Sequence, residues 1–408
     1  MRKVRFRIQV FLATLCATVL GATVLPGAAA LATAQPACTP QVAPPPPIDS
    51  SEAPRPGATP PVPLSVPRTP VGGVRMGECG LVIPVGAPDP PPGITAASWL
   101  IADADSGEVV AARDPHARNR PASTLKLLTA LLAVDHLSPD QVVTGTDADA
   151  NEDGSRVGLG PGGHYTVRQL LTGLLLASGN DAAHALADQM GGVNATVTQM
   201  NELAARLGAR DTRAATPSGL DGPGMSASAY DLALAFRQVL SRPLLVELLG
   251  TREAPFPGFG NKPGFVVAND NKLLRTYPGA LGGKTGFTDD ARHTQLDAAQ
   301  RGGRRLIVVL MRGEQRPVSM SEQAARLLTY GFTLPPGHPV GRLVTGSEPS
   351  PVATSASSPG GEPAENPEAP LPTEARYSNG PLPTALWIGL IAIILGALGL
   401  LVARQRRS

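Results

Sequence analysis

The stretch Pro121–Asp135 constrains this chain more than any other. Leu125 to Val134 is almost unbroken apolar sequence with good helix propensity. A helix that is apolar all round belongs inside a domain. Ser123 stands before it with the residue type of an N-cap. Lys126 is its one ionisable residue before Asp135 and follows Ser123 by three positions, so a helix puts hydroxyl and amine on one face, one turn apart. An ordinary lysine, pKa about 10.4, is deprotonated in only about one copy in a few thousand at pH 7. Burial lowers that value, each unit being worth about 1.4 kcal/mol. The pair reads as a serine nucleophile with lysine as its base.

The chain has 408 residues, and its Gly 45 and Pro 43 predict long stretches outside any core. A net charge of +2 implies no nucleic-acid partner. Lysine is scarce: Lys3, Lys126, Lys262, Lys272 and Lys284 are all there are. That scarcity draws notice to Lys126 and Lys284, because arginine does not readily lose its proton and is a poor general base.

Met1–Arg7 is basic, Ile8–Leu25 is apolar, and small residues run on to Ala34, the pattern of a secretory signal peptide over 1–34. An uncleaved N-terminal anchor is the competing reading. Cys38 and Cys79 remain as an even pair in an exported chain, so they are candidates for a disulfide, against the reading of two unpaired thiols in a flexible arm. Residues 35–93 are Pro-rich and read as a spacer, an extracytoplasmic arm and not a core.

The folded domain is expected over 94–333. Ser98–Asp103 and Glu108–Ala112 predict a hairpin. Asp147–Gly154 alternates oxygen ligands like a calcium loop, but Glu152 occupies the glycine position, and no metal is expected. Thr166–Gln169 is a capping box opening an apolar helix from Val167 to Ala177. Helices follow over Asp181–Met190, Asn194–Leu207 (closed by Gly208) and from Ser226 to Leu240. Phe265–Val267, Leu281–Thr288 and Arg305–Met311 read as strands, and Ser319–Tyr330 as a closing helix. Strands at both ends with helices between predict an α+β or layered α/β domain. A disordered linker is expected over 334–383, a transmembrane helix over 384–403 and a short basic tail over 404–408. Arg404, Arg406 and Arg407 place that end in the cytoplasm and the domain on the extracytoplasmic face of a bacterial membrane.

Three motifs stand in order: Ser123-Thr-Leu-Lys126, Ser178-Gly-Asn180 and Lys284-Thr-Gly286. With Gly179–Ala183, Pro217–Asp221 and Gly282–Thr288, they make residues 94–332 resemble the penicillin-recognising active-site-serine proteins, and among them the low-molecular-mass D-alanyl-D-alanine carboxypeptidases. The resemblance implies a β-lactamase/transpeptidase-like α/β (α+β) fold. Its parts would be a five-stranded antiparallel sheet flanked by helices and a mainly helical region, with the site in the cleft between them. It implies no cofactor. The partners it implies are the D-Ala-D-Ala terminus of the peptidoglycan stem peptide and β-lactam antibiotics; the C-terminal helix adds the membrane.

Carried over by motif, Ser123 is the acylated nucleophile and Lys126 its base. Ser178 relays the proton to the leaving amine, and Asn180 binds the peptide amide and steadies Lys126. Lys284 adds positive potential and Thr285 bonds the substrate carboxylate. Gly286 reads as allowing close approach of the substrate backbone, against the reading of a bulged strand, and the N–H groups of Ser123 and Phe287 form the oxyanion hole. His164, His184 and His293 read as structural or exposed. One departure stands out: Arg292–Asp297, where the resemblance implies an aliphatic strand, is polar, and Asp297 in a central strand requires a partner. A class A β-lactamase needs a deacylating glutamate, and the loop around Thr216–Gly224 has none. DD-transpeptidation stays open, because it differs only in whether an amine or water resolves the acyl-enzyme. A non-catalytic envelope module stays open through the polar strand after Asp290.

Overall fold

The computed structural model describes residues 38–344. The proposed leader (1–34), the proposed span (384–403) and most of the proposed linker lie outside them. Among the described residues no helix is long and apolar enough to cross a membrane.

The arm contributes α1 (Thr39–Val42) and β1 (Leu81–Val82), ahead of the expected hairpin β2 (Ser98–Asp103) and β3 (Glu108–Arg113). A 3-10 turn over Ala122–Leu125 leads into α2 (Lys126–His136). The helical region then runs through β4 (Val142–Thr144), α3 (Asp147–Ala150), β5 (His164–Thr166), α4 (Val167–Leu176) and α5 (Asn180–Gln189). It continues with α6 (Val193–Leu207), α7 (Ala229–Val239) and α8 (Pro243–Gly250). A side hairpin, β6 (Glu253–Phe256) and β7 (Phe265–Ala268), and the turn α9 (Leu273–Thr276) lead back to the sheet. The described residues end with β8 (Ala280–Thr288), β9 (Arg292–Arg301), β10 (Arg304–Gly313), α10 (Met320–Thr333) and β11 (Gly341–Arg342).

Five long strands pair antiparallel in the order β3-β2-β10-β9-β8. Alternation along the strands buries both faces. Trp99, Ile101, Leu306, Val308 and Leu310 pack with Leu327 and Leu328 of α10. Leu100, Ala102, Ile307, Val309 and Met311 join the larger core shared with the helices. Local signals hold where they were specific. Thr166 and Gln169 form the capping box of α4, and Gly208 closes α6 in the left-handed region at φ 81.

Three expectations need correction. First, Ser123 does not cap a helix: it lies inside the 3-10 turn, and α2 begins at Lys126 with no side-chain cap. The preceding Ala122 sits at φ 49, which turns the chain sharply into the helix.

Second, the arm over 35–93 is not a spacer. β1 pairs with β3 (Val82 to Ala112), Met76 is fully buried, and Cys38 is bonded to Cys79 with Cα atoms 5.8 Å apart. The physical reason lies in its prolines. An extended Pro-rich chain lacks the N–H groups that build a ladder of its own, so its carbonyls take donors from elsewhere. Arg118 donates to the carbonyls of Val42, Leu64 and Ser65 at 2.6–2.8 Å, Arg213 to Val62 and His116 to Val71. Gly72, at φ 84, lies so close to Arg342 and Tyr230 that a Cβ there would stand 2.5 Å from the Arg342 carbonyl.

Third, the ordered chain runs past 333. β11 pairs with β3 beside the position of β1, and Leu343 is buried. β1 and β11 thereby cover the outer edge of β3 and bring the sheet to seven strands.

Candidate active site

The cleft lies where the free edge of β8 meets the turn carrying Ser123. Among the described residues β8 is the last strand of the sheet, with β9 on one side only. Gly286 stands against the turn: a Cβ there would be 2.8 Å from the Ser123 nitrogen and 2.5 Å from Thr294 Oγ1. Only glycine lets strand and turn approach this closely. Thr124 and Thr294 both donate their hydroxyls to the Pro121 carbonyl, at 2.6 and 2.9 Å, so turn and sheet are tied just before the serine.

Lys126 is fully buried, and its Nζ has three oxygen neighbours: Ser123 Oγ at 2.8 Å, Asn180 Oδ1 at 2.6 Å and the Ser218 carbonyl at 2.7 Å. Burial lowers its pKa well below the ordinary lysine value, and the nearby Lys284 cation lowers it further; Asp181 acts in the opposite sense. Deprotonating an ordinary lysine at pH 7 costs about 4–5 kcal/mol, and the depressed pKa removes much of that cost. Asn180 Oδ1 and the Ser218 carbonyl can only accept, so a neutral amine gives its two N–H groups to them. Its lone pair then faces Ser123 Oγ, the arrangement a base requires.

Asn180 is itself fixed. Its Nδ2 donates to the Asp153 carbonyl at 2.6 Å and its backbone N–H to the Ser155 carbonyl at 2.7 Å, which turns Oδ1 toward Lys126. The segment considered as a calcium loop is thus a wall of the site, with α3 as a capped helical turn within it. Buried Asp181 accepts from the backbone N–H groups of Val157, Gly158 and Leu159 and holds the next loop in place. Ser178 is buried at φ 58, a backbone conformation that costs about 1–3 kcal/mol for a non-glycine residue. Its Oγ has no hydrogen-bond partner among the described residues.

Lys284 is buried, donates to the Thr285 carbonyl at 2.8 Å, and has a pKa pushed down to about 8 by burial, against the pull of Asp270. Ser123, Ser178, Thr285, Gly286 and Phe287 share one open cavity of about 410 Å³ with Asp270, Lys272 and Gln295. Phe287 is 48% exposed, and its ring lies 4.5 Å from the His293 ring.

The polar β9 finds its partners. Asp297 accepts from Asn271 Nδ2 at 2.6 Å and from Gln295 Nε2 at 2.7 Å, and burial raises its pKa to about 7. It faces Gly283 in register, where a Cβ would stand 2.5 Å from its Oδ1. The aliphatic strand is replaced by a satisfied polar network beside β8, and the motif residues keep their places.

Sequence reasoning placed Ser123, Lys126, Ser178, Asn180, Lys284, Thr285, Gly286 and Phe287, and the structure brings all eight to this cleft. It missed the carbonyls of Ser218 and Asp153. Pro217–Asp221 was a recognisable motif, but a backbone acceptor carries no residue identity.

The model of the D-alanyl-D-alanine carboxypeptidase family, peptidase S11, matches residues 86–315. The D-alanyl-D-alanine carboxypeptidase DacB2 of Mycobacterium tuberculosis is 46% identical over 266 residues, 64% of this chain and 90% of the relative. The chain belongs to this family. A crystal structure of the D-alanyl-D-alanine carboxypeptidase from M. tuberculosis H37Rv is similar with a TM-score of 0.62 at 44% identity, covering 64% of this chain and 99% of that one. DacF of Bacillus subtilis is 32% identical, and the chain spans 64% of its length. Family likeness also extends to a variant of the Streptomyces K15 DD-transpeptidase, with 28% identity, a TM-score of 0.57, and coverage of 60% of this chain and all of that one. The match to the family begins at residue 86, so the arm from Cys38 to Val85 precedes it.

Proposed function

We propose that Ser123 is the nucleophile and Lys126 its base in the removal of the terminal D-alanine from peptidoglycan stem pentapeptides. The chain is a serine-type D-Ala-D-Ala carboxypeptidase of peptidoglycan metabolism. Neutral Lys126 takes the Ser123 proton as Oγ attacks the carbonyl carbon of the last peptide bond. The oxyanion forms toward the N–H groups of Ser123 and Phe287, at the junction of the turn and the free edge of β8. The C–N bond then breaks, and Ser178, its hydroxyl uncommitted, passes its proton to the departing amine and takes up in exchange the proton that Lys126 drew from Ser123. Water hydrolyses the ester, and Ser123 recovers its proton. Lys284 and Thr285 bind the substrate carboxylate. β-Lactams acylate the same serine.

The observation that carries this reading is the 2.8 Å approach of the buried Lys126 Nζ to Ser123 Oγ, with both other neighbours of the amine able only to accept. The K15 transpeptidase likeness gives a second fate for the acyl group, transfer to an amine. Incubating the whole chain with a D-Ala-D-Ala pentapeptide, with and without an amine acceptor, tests both. Free D-alanine with free tetrapeptide acid as the main product supports hydrolysis. A tetrapeptide joined to the acceptor as main product shifts the assignment to transpeptidation, and no D-alanine at all leaves a binding module.

The leader pattern over 1–34 and the apolar segment 384–403 with its following arginines support an extracytoplasmic domain anchored in the membrane at its C-terminal end. Protease digestion of intact cells and of inverted vesicles tests this: the domain must be cleaved only in the former.

A further inference from the structure

We propose that Glu52 and Arg120 form a positioning pair for this reaction, through which the N-terminal arm holds the Ser123 turn, the Ser218 loop and the end of β8 in register. The proposal rests on the reading of Ser123 as nucleophile.

Arg120 lies three residues before Ser123, with its guanidinium all but inaccessible to solvent (3% exposed). Glu52 of the arm grips it with both carboxylate oxygens, Oε1 on Nε and Oε2 on an NH2 group at 2.8 Å. The remaining terminal nitrogen donates to the Pro45 carbonyl of the same arm at 2.6 Å. A bidentate pair fixes both distance and plane. The charges of Asp290 and Asp221 also favour the Arg120 cation, after that of Glu52. Asp290 follows β8, which carries Lys284 to Phe287, and accepts the Ile48 N–H of the arm at 2.6 Å. Asp221 belongs to the loop whose Ser218 carbonyl takes an N–H from Lys126.

One cation therefore sits among carboxylates from three separate segments, and two of those segments hold the base or the oxyanion donors. The turn between Arg120 and Ser123 contains Ala122 in a strained left-handed conformation at φ 49. Such a conformation persists only where its surroundings over-determine it. Asn119 is tied to Ala227 through paired backbone bonds of 2.8 Å, so the turn is held from the domain at Asn119 and from the arm at Arg120. Glu52 lies before the residues matched by the family model, so this tie comes from the arm.

The test is Glu52→Gln in the whole chain, with D-alanine release expressed per active site titrated to completion with labelled penicillin. That normalisation separates misplaced chemistry from a mere loss of folded molecules. The expected result is a fall in kcat per titrated site of about ten-fold or more, with KM nearly unchanged, since a misplacement of ~1 Å costs on the order of 100-fold. The penicillin acylation rate should slow in parallel. A per-site kcat equal to wild type overturns the proposal, even when fewer sites titrate. If Ser123→Ala still releases D-alanine, the underlying reading fails instead, so the two failures are distinct.

Discussion

The cleft and the arm are both held by buried cations, yet they teach opposite lessons about sequence. In the cleft, Lys126 is fully buried with no carboxylate among its hydrogen-bond partners and a second lysine nearby, so its charge is disfavoured and its amine becomes a base. Under the arm, Arg118 and Arg120 are buried beside carboxylates and proline-rich carbonyls, so their charge is satisfied and they serve as fasteners. Burial alone does not decide the role of a cation; its partners do. Arginine suits the second task because it keeps its proton.

This contrast predicts separable phenotypes: cleft substitutions should remove rate and spare stability, and arm substitutions should do the reverse, with Glu52 bridging the two. The largest effect expected is from Lys126→Arg, which keeps a cation but loses the base; kcat should fall on the order of 100- to 10,000-fold. Stopped-flow acylation by a chromogenic β-lactam measures it. Gly286→Ala comes next. Its Cβ would stand 2.8 Å from the Ser123 nitrogen, so β8 must move, and kcat should fall about 100-fold. Thermal unfolding should show whether stability follows; a large loss of Tm would blur the contrast.

On the arm side, replacing both Cys38 and Cys79 with serine opens a loop with a sequence separation of 41. A loss of about 4 kcal/mol is expected from chain entropy, read in urea unfolding. Unchanged stability would return the arm to the status of a spacer.

The smallest effects concern pH. Lys284 depresses the Lys126 pKa less than burial does, so Lys284→Gln should move the acid limb of the acylation rate to modestly higher pH. Asp297 and Asp231 both have folded-state pKa values raised by burial to about 7. The folded protein keeps those protons when the unfolded chain has lost them, so stability should fall as pH rises from about 4 to about 7 and level off above. Asp297→Asn should remove its share of that slope in urea midpoints measured against pH.

The sequence made the cleft legible because each motif lies on a regular element with a fixed geometry. Ser123 and Lys126 are one turn apart, Asn180 begins a helix, and Lys284 to Phe287 lie on a strand. Of the five long strands, β2, β3, β8 and β10 were legible in the residues themselves; β9 was implied only by the resemblance, because its interior position is hidden behind polar residues that bond one another. The arm was illegible because its anchors are backbone carbonyls, which look alike at every residue. Proline density predicted a spacer, whereas the arm packs on the domain. A usable signal was present in His116-Ala-Arg118-Asn-Arg120: three basic side chains, all now buried, just ahead of the nucleophile. Buried cations at that density require acceptors, and Asp211 of the domain supplies them together with Glu52 and the carbonyls of the arm.

The central claim is that Ser123 Oγ, activated by Lys126, carries the acyl group. The direct measurement is to acylate the whole chain with a labelled penicillin, digest it and locate the label by mass spectrometry in wild type and in Ser123→Ala. The account predicts one label per molecule on the peptide containing Ser123, and none in the variant. Label found on another residue, or retained in Ser123→Ala, contradicts it.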